Sequence, residues 1–294
     1  MKKALLAVTA IALALSAGSA LGADLPSRKG PVEVSPPPPP LWTGFYAGLN
    51  VGGTFGGGGD ISVTHLDARP DPAASAALSG LANTDFAAFI GGGQVGYNYQ
   101  FSPRFVAGIE ADIQGTVGNG GSPSFSSVAR GALNPANTYS GNGYASQSFD
   151  YLGTVRARVG FLLTPTLLAY GTGGLAYGWT NLSHTVFGTV TNGSGALTGV
   201  SYGSVNASQT QTGWTAGGGL EWAFAPDWSA KLEYLYYDLG SYNISAQTQG
   251  VTLKTGASAN GVSLVNGQFY GHIVRVGLNY HFNFDPSAPI VAKP

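Results

Sequence analysis

The sequence predicts an all-β chain: an eight-stranded antiparallel transmembrane β-barrel with short periplasmic turns and four long extracellular loops. Three observations carry this. Eight segments of about 9–13 residues alternate apolar and polar side chains with the period of two that a strand imposes. That length suits a tilted membrane-crossing strand. The connections between segments alternate short and long, the pattern of barrels with short turns on one side of an outer membrane and long loops on the other.

Composition narrows the classes further. The 294 residues include 46 Gly, 14 Phe, 15 Tyr and 5 Trp, no Cys, and only 9% charged side chains. A disordered chain has few aromatics and much net charge, the reverse of this. The absence of Cys excludes a disulfide scaffold, thiol catalysis and Cys-ligated metals. A net charge of −1 offers no basic patch for nucleic acid.

The chain opens with an export signal over residues 1–23. Lys2 and Lys3 start it, residues 4–15 form an uncharged apolar run, and small residues follow up to Ala23. The run is too short to cross a bilayer as a helix. Residues 24–41 form a linker carrying Pro26, Pro31 and five consecutive prolines from Pro36 to Pro40. Such a run favours an extended polyproline II spacer. It serves either as a stiff tether or as a docking segment for peptidoglycan or another periplasmic partner. The barrel is expected over 42–283 and a periplasmic tail over 284–294.

Each strand follows from parity. Residues 43–55 put Phe45, Ala47, Leu49, Val51 and Phe55 on one face and Tyr46, Gly48, Asn50 and Gly52 on the other. Residues 89–101 set Phe89, Val95, Tyr97, Tyr99 and Phe101 against Gln94, Asn98 and Gln100. Residues 105–113 set Phe105, Ile109 and Ile113 against Glu110 and Asp112, and residues 149–161 set Phe149, Tyr151, Val155, Val159 and Phe161 against Asp150, Arg156 and Arg158. Residues 167–179 carry Leu167, Leu175, Tyr177 and Trp179 against Thr172 and small residues. Residues 214–224 carry Trp214, Leu220, Trp222 and Phe224 against Thr215 and Glu221. Residues 230–238 set Leu232, Tyr234 and Tyr236 against Lys231 and Glu233. Residues 272–282 set Val274, Val276, Leu278, Tyr280 and Phe282 against Arg275, Asn279 and His281.

The charges decide which face points where. They share the polar parity in every strand, and the apolar parity carries aromatics near its ends, including Phe45, Phe101, Phe161, Trp179, Trp214 and Trp222. Large rings at two levels are the girdle of a lipid-facing wall. The apolar face is therefore expected to meet outer-membrane lipid and the polar face to line the lumen. The expected lumen network is Glu110, Asp112, Asp150, Arg156, Arg158, Glu221, Lys231, Glu233 and Arg275.

Unpaired charges in so narrow a space cost several kcal/mol each. Pairing is thus expected between Glu110/Asp112 and Arg156/Arg158, and between Glu233 and Arg275. The turn at Ala225-Pro226-Asp227 sets Phe224 opposite Trp228 and hence Glu221 opposite Lys231. The network either plugs the lumen or tunes a narrow ion path. Inward glycines such as Gly52, Gly96, Gly174 and Gly219 leave room for water-sized gaps.

Chemistry-bearing motifs are sparse. There is no HExxH, no close His pair and no GxSxG, so no metal, cofactor or catalytic residue is assigned. Asp60, Asp67, Asp71 and Asp85 could meet His65 for hydrolysis at the barrel rim.

Several short motifs recur together: Ala23-Asp24-Leu25-Pro26, Trp42-Thr43-Gly44-Phe45-Tyr46, Gly92-Gly93-Gln94-Val95-Gly96-Tyr97-Asn98, Glu110-Ala111-Asp112-Ile113, and Gly153-Thr154-Val155-Arg156-Ala157-Arg158-Val159-Gly160. Tyr170-Gly171-Thr172-Gly173-Gly174, Lys231-Leu232-Glu233-Tyr234 and Val274-Arg275-Val276-Gly277-Leu278-Asn279-Tyr280 join them. In this set the chain resembles the small outer-membrane porin-family, or outer-membrane immunogenic, proteins of alphaproteobacteria, with an OmpA-like eight-stranded barrel. The resemblance implies an abundant, antigen-like surface protein. It also implies insertion by the barrel-assembly machinery, which reads a last strand ending in an aromatic, here Tyr280 and Phe282. The expected role is a structural and surface one in the envelope. The alternatives are a small-solute porin or narrow ion channel and, third, an enzyme at the barrel rim.

Overall fold

The computed structural model describes residues 41–56, 60–82, 87–118 and 123–282. The expected signal, nearly all of the linker, the tail and Asp85 lie outside these residues. Among the described residues eleven strands and one helix follow in order: β1 (Gly44–Phe55), β2 (Ile61–Asp67), α1 (Pro72–Leu78), β3 (Gly80–Ala82), β4 (Ala87–Gln100), β5 (Phe105–Val117), β6 (Ser124–Arg130), β7 (Thr138–Thr164), β8 (Leu167–Thr191), β9 (Leu197–Ala225), β10 (Trp228–Thr252) and β11 (Ser258–Phe282).

Eight of the strands close a ring. The antiparallel order is β1-β4-β5-β7-β8-β9-β10-β11, and β11 returns to β1 from Phe45↔Phe282 to Phe55↔His272. Ten residue steps at about 3.3 Å, tilted by ~40°, span ~25 Å, the height of a barrel's apolar band. Over this height the outward side chains are apolar and exposed, among them Leu49, Ile109, Val159, Leu175, Leu232 and Val276. Phe45, Phe101, Phe161, Trp179, Trp214 and Trp222 all lie on this outer wall, only Phe161 being partly buried.

The segments expected to be long loops are different. Strands β7 to β11 run 25–29 residues each, well past the apolar band. Their polarity inverts where they leave it. On β8 the outward residues Leu175, Tyr177 and Trp179 give way to Asn181, Ser183 and Thr185, while Leu182, Val186 and Val190 turn inward and are buried. The pattern follows from solvent: lipid favours an apolar exterior, whereas water returns apolar side chains to the interior.

A second set of eight strands forms on this extension. β11 carries β1 along residues 272–282 and then β2 along residues 261–266. β7 carries β5 along 151–161 and then β6 along 138–144. The order is therefore β3-β2-β11-β10-β9-β8-β7-β6, with a seam between β3 and β6.

Helix α1 covers that seam. Asp71 caps it by accepting from Ala73 N at 3.1 Å, and Pro72 stands in its first turn. The hydroxyls of Ser75 and Ser79 accept from the backbone of Asp67 and His65 at 3.0 and 2.9 Å, satisfying the free edge of β2. Ser127 of β6 reaches Ala76 O on the other side. A helix laid over strand edges removes a pairing hazard.

Short turns join β4 to β5, β7 to β8 and β9 to β10, as expected. In the last of these Trp228 faces Ala225 instead of Phe224. The register then shifts by one, so that Lys231 still faces Glu221.

Candidate functional site

Inside the ring the side chains form stacked layers. At the short-turn end Trp42, Val106, Leu162, Leu168 and Tyr170 make an apolar floor. Trp42 folds under the ring just ahead of β1, is 1% exposed, and donates from Nε1 to Pro165 O at 3.0 Å. Its ring meets His281 edge-on. Above the charged layer lies a second apolar layer that includes Ile90, Phe149, Leu152, Leu235, Tyr237 and Ile273.

Between them sits a charged layer. Glu110, Asp112, Arg156, Arg158, Glu221, Lys231, Glu233 and Arg275 all point inward, and none is more than 5% exposed. β5 and β7 set Glu110 opposite Arg156, β10 and β11 set Glu233 opposite Arg275, and β9 and β10 set Glu221 opposite Lys231. Arg156 bridges three carboxylates: Glu110 at 2.5 Å, Asp112 at 2.8 Å and Glu233 at 2.9 Å. Arg275 reaches Glu233 at 2.5 Å and Asp112 at 2.9 Å. Lys231 Nζ lies 2.8 Å from Glu110, and Arg158 Nη2 lies 2.6 Å from Glu221. Each buried ion thus has an opposite charge beside it, the condition under which desolvation is offset.

Neutral groups complete the layer. Tyr46 donates to Glu110 at 2.7 Å and Tyr170 to Glu233 at 3.0 Å. Arg158 stacks on the Tyr170 ring, 4.0 Å from its centroid. Thr154 donates to Asp112, while Ser229 and Asn279 donate to Glu221. Tyr46, Tyr170 and Trp42 were legible only as members of the polar parity or of motifs. Nothing in their spacing marked them as partners of charges or as a floor.

Asp150 departs from the expectation. It is exposed and accepts from Asn181 Nδ2 at 2.8 Å, away from the charged layer. The β7–β8 register shifts between Phe149 and Tyr151, so Asp150 is the extra residue of a bulge, which flips the parity of the strand on one side. Phe149 consequently faces inward at 4% exposure rather than joining the outer aromatics. Without Asp150 the layer holds four acids and four bases, a formally neutral set.

The inward glycines do not leave gaps. Gly52, Gly96, Gly108, Gly174, Gly219 and Gly277 stand opposite Arg275, Glu110, Arg158, Arg156, Glu233 and Lys231. Their missing side chains make room for the long charged ones. At Gly277 a Cβ would meet Lys231 Cε and Cγ at 3.0 Å.

Of the acids expected near His65, Asp67 reaches it and Asp71 does not. His65 Nδ1 lies 2.9 Å from Ser263 Oγ and Nε2 lies 3.4 Å from Asp67 Oδ2. His65 is 2% exposed and Ser263 0%, so the group is closed to any substrate in solution. Burial raises the Asp67 carboxyl, but hydrogen bonds from His65 and Arg69 outweigh it and hold it well below the usual range. Asp71 accepts from Ala132 N and Leu133 N as well as from Ala73 N, tying α1 to the segment after β6. Among the described residues no cluster of three metal-ligating side chains forms.

Tyr280 and Phe282 end β11 on the outer wall, 37% and 39% exposed, beside Trp228.

Comparison with known proteins agrees with this architecture. A family profile described as an outer membrane protein beta-barrel domain matches residues 10–282. The 31 kDa outer-membrane immunogenic proteins of Brucella melitensis biotype 1 and Brucella suis biovar 1 are each 34% identical over 290 residues, covering 96% of this chain and 100% of theirs. Among solved structures, the attachment invasion locus protein Ail of Yersinia pestis shares 11% identity, covering 77% of this chain and 99% of its own, at a TM-score of 0.28. OprG of Pseudomonas aeruginosa shares 11%, covering 82% and 97%, at a TM-score of 0.35. Those two structural scores are too low to bear on function. The family match and the full-length relatives settle membership: the chain belongs to the outer-membrane protein β-barrel family and resides in the outer membrane of the Gram-negative envelope.

Proposed function

We propose that this protein is a closed, non-conducting outer-membrane barrel whose role is structural and at the cell surface. The carrying observation is the stacked interior. A Trp42 floor, a charge-neutral layer and an apolar layer occupy successive heights of the lumen. An eight-stranded ring has space only for side chains, and here inward side chains fill all three levels.

On this reading the short turns face the periplasm and the long extensions of β7 to β11 stand outside the cell with β2, α1, β3 and β6. Phe45, Phe101, Phe161, Trp179, Trp214 and Trp222 mark the two lipid interfaces. The barrel-assembly machinery inserts the chain through a last strand ending in Tyr280 and Phe282. Residues 1–23 are removed on export, and residues 24–41 tether the barrel on the periplasmic side, where peptidoglycan is the candidate partner. The role is read as non-enzymatic; the Ser263–His65–Asp67 grouping, for instance, is sealed from solvent.

The test is the purified mature chain in planar bilayers, with unboiled against boiled gel mobility as the folding control. The expected result is a boiling-dependent shift without discrete conductance. Reproducible conductance steps, altered by Arg156→Ser or Arg158→Ser, would replace this reading with a narrow channel.

A further inference from the structure

One wall of the long extension is not hydrogen-bonded through. Between β9 and β10 the register runs from Trp228↔Ala225 to Asp238↔Trp214, then stops, and resumes only at Thr248↔Gly203. Gly213 still abuts Leu239 across the seam, but residues 204–212 of β9 and 240–247 of β10 have no ladder partner there. Each is paired on its other side, β9 to β8 and β10 to β11, so both remain extended. β10 is irregular here: its register against β11 shifts between Asp238 and Ser241, and Gly240 has a φ of +84°, a left-handed value suited to glycine.

Two facing strand edges are therefore open, each longer than a typical strand. Proteins ordinarily guard such edges with charge, proline or a covering element. This chain does so at its other seam, where Ser75 and Ser79 of α1 satisfy β2. Residues 204–212 and 240–247 contain no charge and no proline.

The side chains along the two edges alternate. Val205, Ala207 and Ile244 face inward yet stay partly exposed, while Ser204, Asn206, Ser208, Asn243 and Ser245 face out and are exposed. Just below the seam Trp214 and Tyr236 pack together on the outer wall.

We propose that the β9–β10 seam is a strand-addition site that takes an extended, uncharged peptide alternating apolar and polar residues. The peptide's backbone bonds the open edge, its apolar side chains cover Val205, Ala207 and Ile244, and its polar ones face water. This rests on the surface reading above and names the class of partner for it.

The experiment uses the full mature chain refolded in detergent micelles. The probe is a fluorescein-labelled, end-capped Thr/Val alternating peptide of about nine residues, and the control is the same peptide with a central proline. Anisotropy reports binding, and hydrogen–deuterium exchange reports its place. Gel mobility shift and bilayer recordings on the same sample test the closed-barrel reading separately. The expected result is binding of the alternating peptide alone, with new protection confined to residues 204–212 and 240–247. Asn206→Lys with Ser245→Lys should weaken it at least ~10-fold while the mobility shift persists, since edge lysines block strand addition.

Equal binding of the proline peptide, protection elsewhere, or no binding would each overturn the proposal. So would seam amides that are already as protected without peptide as those of the β8–β9 pairing. Crosslinking between two copies through Asn206→Cys, in a chain that otherwise has no Cys, would assign the edge to self-association instead.

Discussion

Glu110 and Arg156 stand directly opposite each other on β5 and β7, and Arg156 Nη2 donates to Glu110 Oε1 at 2.5 Å. The same guanidinium touches Asp112 and Glu233, so one side chain joins three strands across the interior. Arg156→Met should leave three buried carboxylates short of a cation. A loss of about 3–5 kcal/mol is expected, since breaking a buried pair strands its partner. The denaturant midpoint of the mobility shift reads it. Adding Glu233→Gln to Arg156→Met should cost less than the sum of the two single changes.

Asp112 and Asp150 make a matched contrast. Both were expected in the lumen, but only Asp112 lies there. Asp112→Asn should destabilise by several kcal/mol, as loss of a buried paired charge does. Asp150→Asn should stay within about 0.5 kcal/mol, as exposed changes do. Equal effects in unfolding titrations would remove the bulge from the explanation.

Gly277 and Gly173 separate the inner from the outer wall. A Cβ at Gly277 meets Lys231 at 3.0 Å and Gln94 Nε2 at 3.1 Å, whereas at Gly173 the nearest atom is Thr215 O at 3.6 Å. Gly277→Val should cost about 1–3 kcal/mol by overpacking, and Gly173→Val should be tolerated in lipid. Folding yield into vesicles, scored by gel mobility, distinguishes them.

His184 gives the long extension a pH dependence. It is 1% exposed in the interior beyond Trp179, and burial lowers its pKa below that of a free imidazole. The unfolded chain then binds the proton more readily than the folded one. Stability is full above the unfolded value of about 6.5 and falls as pH drops through it toward the folded value. Urea midpoints at pH 7.5, 6.0 and 5.0 should decline less in His184→Gln than in the wild type. Parallel slopes for the two proteins would sink the assignment.

Much of the membrane ring was legible because lipid imposes a strict rule. Apolar residues face out and charges face in, so parity alone placed Lys231, Glu233 and Arg275 on one face. The expected three-residue turn at Ala225-Pro226-Asp227 closes as two residues, Pro226-Asp227, yet the register shift beside it still sets Glu221 against Lys231. Ile90, Leu152, Leu235 and Ile273 could not be placed by parity. They sit on the polar parity of their strands but form an apolar layer above the charges, a change with height that period two does not encode.

By itself the sequence determined that the chain is an outer-membrane barrel and that all but one of its expected lumen charges share the inward face, since alternation and solvent dictate these locally. Tertiary structure decided the rest. The bulge at Asp150 depends on how β7 meets β8, and it alone makes the charged layer neutral. The Gly-, Ser- and Asn-rich stretches became strands because neighbours were there to pair with them, not through their own propensity. Trp42 became a floor only once the ring had closed around it, and the open β9–β10 edge exists only because one pairing stops while its neighbours continue.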